Sequence, residues 1–178
     1  MCGICGFVSQ DDEETLARMT AALSRCGPDD LGLHMSAPWD GPGVGSGNGR
    51  LAVLDSSPAG QMPMPDPEHA LRITYNGEIY TQLRKDLESR CSRSKSESEA
   101  ILCLYQSEGS DLVRRLNGMF ANAIRDERRG QLFLARNYFE PLNCFRQADR
   151  FAFRSEGFDW TTGLPQASSA RIVDADVH

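Results

Sequence analysis

The sequence predicts an α+β fold, with strands and helices segregated into layers rather than alternating in a doubly wound parallel sheet. Two observations predict it. Short apolar runs of strand character cluster at residues 51–54 and 71–75, and again at 119–124, 131–135 and 151–153, while helical periodicity falls between only some of them. The chain has 178 residues, 40% hydrophobic and 25% charged, which suits one folded domain with a sizeable core and leaves little for a second.

In chain order, residues 3–8 form an apolar run with β-branched members, and Asp11 and Asp12 then cap a helix carrying Leu16, Met19 and Leu23, which ends at Gly27-Pro28. Between Pro38 and Gly49, glycine recurs at 41, 43, 45, 47 and 49, a spacing that suits turns or a backbone packed closely against something. It is not a phosphate loop, because no Gly-Lys-Ser/Thr closes it and the first lysine is Lys85. Residues 51–54 and 71–75 read as buried strands, joined by a proline-rich loop at 56–67 that cannot pair in a sheet interior. A helix follows Glu78 with Ile79, Leu83 and Leu87 on one face, and Ser96-Glu97-Ser98-Glu99 is a capping box opening a second helix through Leu104 to Gly109. Residues 119–124 and 131–135 flank Asp126-Glu127-Arg128-Arg129-Gly130 as a hairpin, to which 151–153 adds a third strand. Beyond Glu156 the pattern fades, which gives a domain over 1–156 and a tail or truncated linker over 157–178. No repeat at solenoid or propeller spacing and no low-complexity block occurs.

Charge and segment patterns exclude several function classes. Lys plus Arg number 19 against 25 Asp plus Glu, a net charge of −6 that speaks against a nucleic-acid partner. No run approaches the ~20 apolar residues needed to span a bilayer, and the first ten residues have neither a basic n-region nor a long apolar h-region, so neither membrane insertion nor secretion is expected. The six cysteines, at 2, 5, 26, 91, 103 and 144, are sparse for a disulfide framework and read as reduced thiols of a cytoplasmic protein.

The residue with the most chemistry is Cys2. A side chain this small after Met1 normally lets the methionine be removed, which leaves a thiol and a free α-amine on one residue. The amine titrates near ~7.7–8.0 and the thiol near ~8.5, so the amine can take the proton of its own thiol without a histidine. Position alone favours the plainer reading, a small residue at a chain end. Cys2-Gly3-Ile4-Cys5 is also a C-x-x-C pattern, but it opens no helix after a strand, as a redox pair does, and no second cysteine pair or His-x-x-x-His completes a zinc tetrahedron. Cys5 therefore reads as a buried strand residue, and neither metal nor cofactor is expected. His34, His69 and His178 are scattered, with no nucleophile elbow to build a triad. Acidic residues at 29, 30, 55, 78, 97 and 99 are explained mostly as caps and solvated faces.

Several blocks, taken together, change that balance: Met1-Cys2-Gly3-Ile4-Cys5-Gly6-Phe7, Gly27-Pro28-Asp29-Asp30 with Gly32, Arg50-Leu51-Ala52-Val53-Leu54-Asp55, Ser57-Pro58-Ala59-Gly60, Tyr75-Asn76-Gly77-Glu78-Ile79-Tyr80 and Leu116-Asn117-Gly118-Met119-Phe120-Ala121. In this order, over about residues 2–156, they resemble the glutaminase domain of asparagine synthetase, a class II glutamine amidotransferase of the N-terminal-nucleophile fold. The resemblance implies a four-layer αββα sandwich of two antiparallel sheets, glutamine as substrate and Cys2 as nucleophile, with its α-amine as base and then acid. It implies Asn76 and the Gly77 backbone N–H as donors to the developing oxyanion. Arg50 matches the position that grips the substrate α-carboxylate, a task for a planar fork of donors, and Glu78 and Glu97 match those that hold its ammonium.

This sequence departs from the family pattern in places. Glu97 replaces an Asp, Arg25-Cys26 replaces His-Arg before Gly27-Pro28-Asp29, Asn48-Gly49 replaces His-Arg before Arg50-Leu51, and Met62 replaces Gln before Pro63-Met64. Arg-Asp-x-x-Gly with Lys-Pro-Leu-Tyr becomes Arg136-Asn137-Tyr138-Phe139-Glu140 running directly into Pro141-Leu142-Asn143. The Ser-Gly-Gly-x-Asp-Ser pyrophosphate loop of the ATP-using half does not occur. The expectation is a glutaminase handing ammonia to a separate synthetase-type subunit, and the alternative is a catalytically silent, truncated member with a binding or regulatory role. An amidotransferase making an amino sugar or a purine precursor fits the Asn76 and Ser57 blocks less well.

Overall fold

The structure, a computed structural model, describes residues 2–9, 13–36, 43–51, 61–80, 96–147, 150–155 and 171–177. In chain order these form β1 (Gly3–Ser9), α1 (Glu13–Ala21), β2 (Asp30–Ser36), β3 (Gly43–Arg50), β4 (Met64–Asp66), β5 (Leu71–Ile79), α2 (Glu97–Glu108) with a following 3₁₀ turn (Gly109–Arg114), β6 (Gly118–Asp126), β7 (Gln131–Asn137), β8 (Asn143–Gln147), β9 (Arg150–Arg154) and β10 (Arg171–Val177). One five-stranded sheet runs β2-β3-β1-β9-β8 and the other β10-β7-β6-β5-β4. Every pairing is antiparallel except the parallel pair of β10 with β7.

Period-two alternation sorts the side chains into layers. Ile4 and Val8 of β1, with Val44, Phe151 and Phe153, meet Ala121, Ala123, Leu132 and Leu134 of the second sheet, and these residues fill the space between the sheets. The other face of the first sheet presents Phe7 and Ala152 to Leu16 of α1. The outer face of the second sheet sets Ile73, Tyr75, Phe120, Ile124 and Phe133 against Ile101, Leu104 and Tyr105. The layers are therefore α1, sheet, sheet, α2, the αββα order expected. Ser96 caps α2 as read from the sequence, its Oγ accepting the Glu99 N–H at 3.2 Å.

The structure corrects several sequence expectations. Where the glycine stretch is described it is no turn: Gly43–Arg50 is a strand paired on both sides, and residues 38–42 lie outside the described residues. Its alternate glycines lie flush against the layer that includes α1, where an added Cβ would stand 2.9 Å from Phe7 Cζ at Gly45, 2.1 Å from Thr20 Oγ1 at Gly47 and 3.0 Å from Leu23 Cβ at Gly49. The close-packing half of the expectation holds, and strand propensity failed because the strand is selected for having no side chain on that face. Leu51 follows β3 outside any strand, and the rest of the expected 51–54 strand lies outside the described residues. Ile79 is not in a helix but is the buried last residue of β5; Leu83 and Leu87 lie outside the described residues. Residues 151–153 do form a strand, yet it joins β1 in the opposite sheet and not the hairpin. Part of the expected tail, Arg171–Val177, is a strand on β7. Long-range pairing of this kind leaves no turn signal nearby to announce it.

Phe153 is fully buried between the sheets, beside Gly6. Phe153→Ala is expected to lower stability by about 3–5 kcal/mol, measured by denaturant unfolding.

Candidate active site

The first strand runs through the centre of its sheet, so the start of the chain is held on both sides. Gly3 pairs with Gly49 and Ile4 with Asn48 on β3, and the Ile4 N–H donates to Ser155 Oγ at 2.9 Å beyond the end of β9. Cys2, half-buried at the head of β1, has its Sγ accepting the Leu51 N–H at 3.4 Å. Leu51 directly follows Arg50, whose carbonyl accepts the Asp29 N–H at 3.1 Å. Asn48 reaches across the sandwich, its Nδ2 donating to Tyr75 O of β5 at 3.3 Å. Even-numbered residues of β3 face the second sheet, so Asn48 and Arg50 share that face. The next residue on β5 is Asn76, buried, whose Nδ2 donates to Glu140 Oε2 at 3.0 Å.

Gly77 has φ +148° and a Cβ there would stand 2.2 Å from Met119 O, so only glycine fits. Its exposed neighbour Glu78, paired with Met119, alternates onto the Asn76 face of β5. On the α2 side, Tyr75 OH donates to Glu97 Oε2 at 2.9 Å, the carboxylate lying in the first turn of the helix. Burial raises the Tyr75 hydroxyl far above its ordinary range, and the negative charges of Glu97, Glu78 and Glu140 push it further. Of the three carboxylates, only that of Glu97 touches the phenol. Burial also raises the Glu140 carboxyl, and the Asn76 hydrogen bond offsets only part of that rise. Glu140 and Asn76 thus belong to one neighbourhood, and Asn48 ties β3, with Arg50 at its end, to the strand carrying Asn76.

The second cysteine of the C-x-x-C is inert by environment. Cys5 is fully buried against Thr20, and burial pushes its thiol up to about 11. Cys2, Cys5, Cys26 and Cys144 are free thiols, but Cys103 is disulfide-bonded, which corrects the reading of all six as reduced. Among the described residues no group of three or more His, Cys, Asp and Glu could hold a metal ion, and no helix is long and apolar enough to cross a membrane. A surface groove of about 650 Å³ along Asp30–Leu33 and Gln61–Pro65 contains none of the candidate residues.

A family model described as a glutamine amidotransferase domain matches residues 1–165. The chain belongs to this family. It is 37% identical over 169 residues to asparagine synthetase [glutamine-hydrolyzing] 3 of Bacillus subtilis, covering 88% of this chain and 26% of that protein. It is 32% identical over 176 residues to the putative asparagine synthetase [glutamine-hydrolyzing] 2 of Methanocaldococcus jannaschii, covering 88% of this chain and 34% of that protein. The chain spans about a quarter to a third of the length of these relatives. Among solved structures, the glutamine phosphoribosylpyrophosphate amidotransferase of B. subtilis superposes with a TM-score of 0.68 at 16% identity, over 86% of this chain and 42% of that one. A structure titled as the allosteric regulatory enzyme of purine biosynthesis gives 0.70 at 17%, over the same shares. At that identity the likeness is one of fold, which this amidotransferase domain shares.

Sequence reasoning passed over two residues that the structure bonds to Tyr75 and Asn76. Asn48 and Glu140 were visible only as departures from the family pattern; each proves to be half of a buried hydrogen bond, one to Tyr75 and one to Asn76. A polar residue alternating with glycines in an otherwise buried strand is the signal that marks Asn48. Asn48→Ala is expected to lower stability by about 1–3 kcal/mol in denaturant unfolding, because Tyr75 O is left buried without a donor. Alkylation of the native protein at pH 8 is expected to modify Cys2 and exposed Cys144 while Cys5 stays unmodified until the protein is unfolded, read by peptide mass mapping.

Proposed function

We propose that this domain hydrolyses glutamine to glutamate and ammonia through a thioester on Cys2. The observation that carries the reading is the placement of Cys2 at the head of a central strand, with its sulfur at the Leu51 N–H, in a chain of the glutamine amidotransferase family. With Met1 removed, the α-amine of Cys2 takes the thiol proton and the sulfur attacks the side-chain amide carbon of glutamine. The carbonyl oxygen gains the negative charge, and Asn76 with the Gly77 N–H donates to it. The amine returns its proton to the leaving nitrogen, ammonia departs, and water, deprotonated by the same amine, cleaves the thioester and restores the thiol. Arg50 holds the α-carboxylate by parallel hydrogen bonds, and Glu78 and Glu97 hold the α-ammonium. Tyr75, donating to Glu97, keeps that carboxylate aimed by fixing one of its oxygens.

The ammonia acceptor in this reading is a separate synthetase-type subunit, as the asparagine synthetase relatives suggest, and the product would then be asparagine. A second reading, a catalytically silent member with a binding or regulatory role, is favoured by one observation: the Asn76 amide donates to a carboxylate of its own chain.

Intact mass before and after exposure to a glutamine-mimicking electrophile separates the two. Loss of Met1 and one adduct, absent in Cys2→Ala, is the expected result, with glutamate release from glutamine slowed by about 10²–10³ in Asn76→Ala. A free Cys2 that takes no adduct and releases no glutamate, alone or with a synthetase-type partner, would leave only the silent reading.

A further inference from the structure

The geometry points to Glu140 as a tethered occupant of the place that glutamine's reacting carbonyl oxygen would take, a side chain that restrains hydrolysis until its turn is displaced. The inference rests on the reading of Asn76 as a donor to that oxygen. Glu140 is only 3% exposed, and its Oε2 takes the Asn76 Nδ2–H at 3.0 Å. Its side chain ends in the same two methylenes and carboxylate as the glutamate that hydrolysis would release. Such a group, bound to the oxyanion donor, imitates product from within the chain.

Two features make the occupancy a built one. Asn137 Oδ1 accepts both the Glu140 N–H at 3.1 Å and the Phe120 N–H at 3.2 Å, while Asn137 Nδ2 donates to Gly118 O at 2.7 Å. The turn is thereby fixed to the part of β6 that pairs with Gly77 and Ile79. A covalent tether also gives the carboxylate a local concentration that free ligand in the millimolar range or below must overcome.

The same turn is able to let go. Tyr138 and Phe139, between Asn137 and Glu140, are 79% and 71% exposed and pack edge to face on each other. Hydrogen bonds and the Glu140 contact hold the turn, and aromatic burial does not. Withdrawing Glu140 frees the Asn76 N–H and removes a carboxylate from beside the developing negative charge. Both changes favour the tetrahedral intermediate.

The test uses the Met-processed full chain as wild type, Glu140→Ala and Glu140→Gln, the last keeping shape and an acceptor oxygen without the charge. If the released form is a minor state of about 1–10%, Glu140→Ala should tighten glutamate binding, read by titration calorimetry, and raise glutamate release about 10- to 10²-fold. Glu140→Gln should fall between. Cys2 alkylation by iodoacetamide, which needs no oxyanion donor, should be nearly unchanged, and continued protection of buried Cys5 serves as the check on folding. Equal rates and equal glutamate affinity in all three proteins, or loss of both in variants whose alkylation is unchanged, would overturn the proposal. If Glu140→Ala does not fold, Glu140→Gln decides by the same measure, a rise against none. If wild type and variants alike bind no glutamate and take no glutamine-mimicking label, the glutaminase reading itself fails, an outcome distinct from an active enzyme indifferent to Glu140.

Discussion

The ladder between β1 and β3 is the constraint on which the rest depends. It places the second residue of the chain at the middle of a sheet, where most chains would have a loose end. The ladder requires glycine on one face of β3, because Phe7, Thr20 and Leu23 lie where side chains would otherwise stand. The price of that closeness is a strand with little intrinsic propensity, and its stability comes from being paired on both edges and covered on both faces. A nucleophile proposed at Cys2 needs such rigidity, since a misplacement of ~1 Å costs on the order of 10²-fold in rate.

From β1 and β3, order passes to the second sheet through Asn48. A buried side-chain amide bonded to a backbone carbonyl of the facing sheet fixes their relative position more sharply than the apolar layer around it, because hydrogen bonds are directional and methyl contacts are not. The carbonyl it takes belongs to Tyr75, whose hydroxyl in turn meets Glu97 at the start of α2. One line of contacts, from Asn48 through Tyr75 to Glu97, thus runs from the first sheet through the second to the outer helix layer.

What the sequence made legible follows from this arrangement. The apolar strands β1, β5, β6 and β7, the capping box at Ser96 and the β6–β7 hairpin were readable because each carries a local signal, a periodicity or a turn. The strand at Gly43–Arg50 was not, since its residues answer to α1 and its neighbours across space and not to sequence neighbours. Nor were the sheet assignments of β9 and β10, because pairing partners such as Phe7 and Ala152, or Gln131 and Arg171, lie far apart along the chain. The candidate site divides in the same way. Cys2, Arg50, Asn76, Gly77, Glu78 and Glu97 were named from the resemblance, while Asn48 and Glu140 drew attention only as substitutions and acquired meaning once their partners were in view.

The charge pattern of the site bears on how its parts fit together. Glu78, Glu97 and Glu140 all act on Tyr75, and the phenol stays protonated far above its ordinary range, able to donate but not to share their charge. Carboxylates whose fields overlap repel one another, so the arrangement is stabilised by any cation that arrives among them. The Asn76 amide, which donates to Glu140, already plays a neutral version of that part. In the proposed reaction a substrate ammonium would play it for Glu78 and Glu97, and its binding would leave Glu140 as the remaining negative group beside Asn76. Substrate arrival and Glu140 withdrawal are then linked by electrostatics alone, because a growing oxyanion and a fixed carboxylate cannot share one amide donor without mutual repulsion.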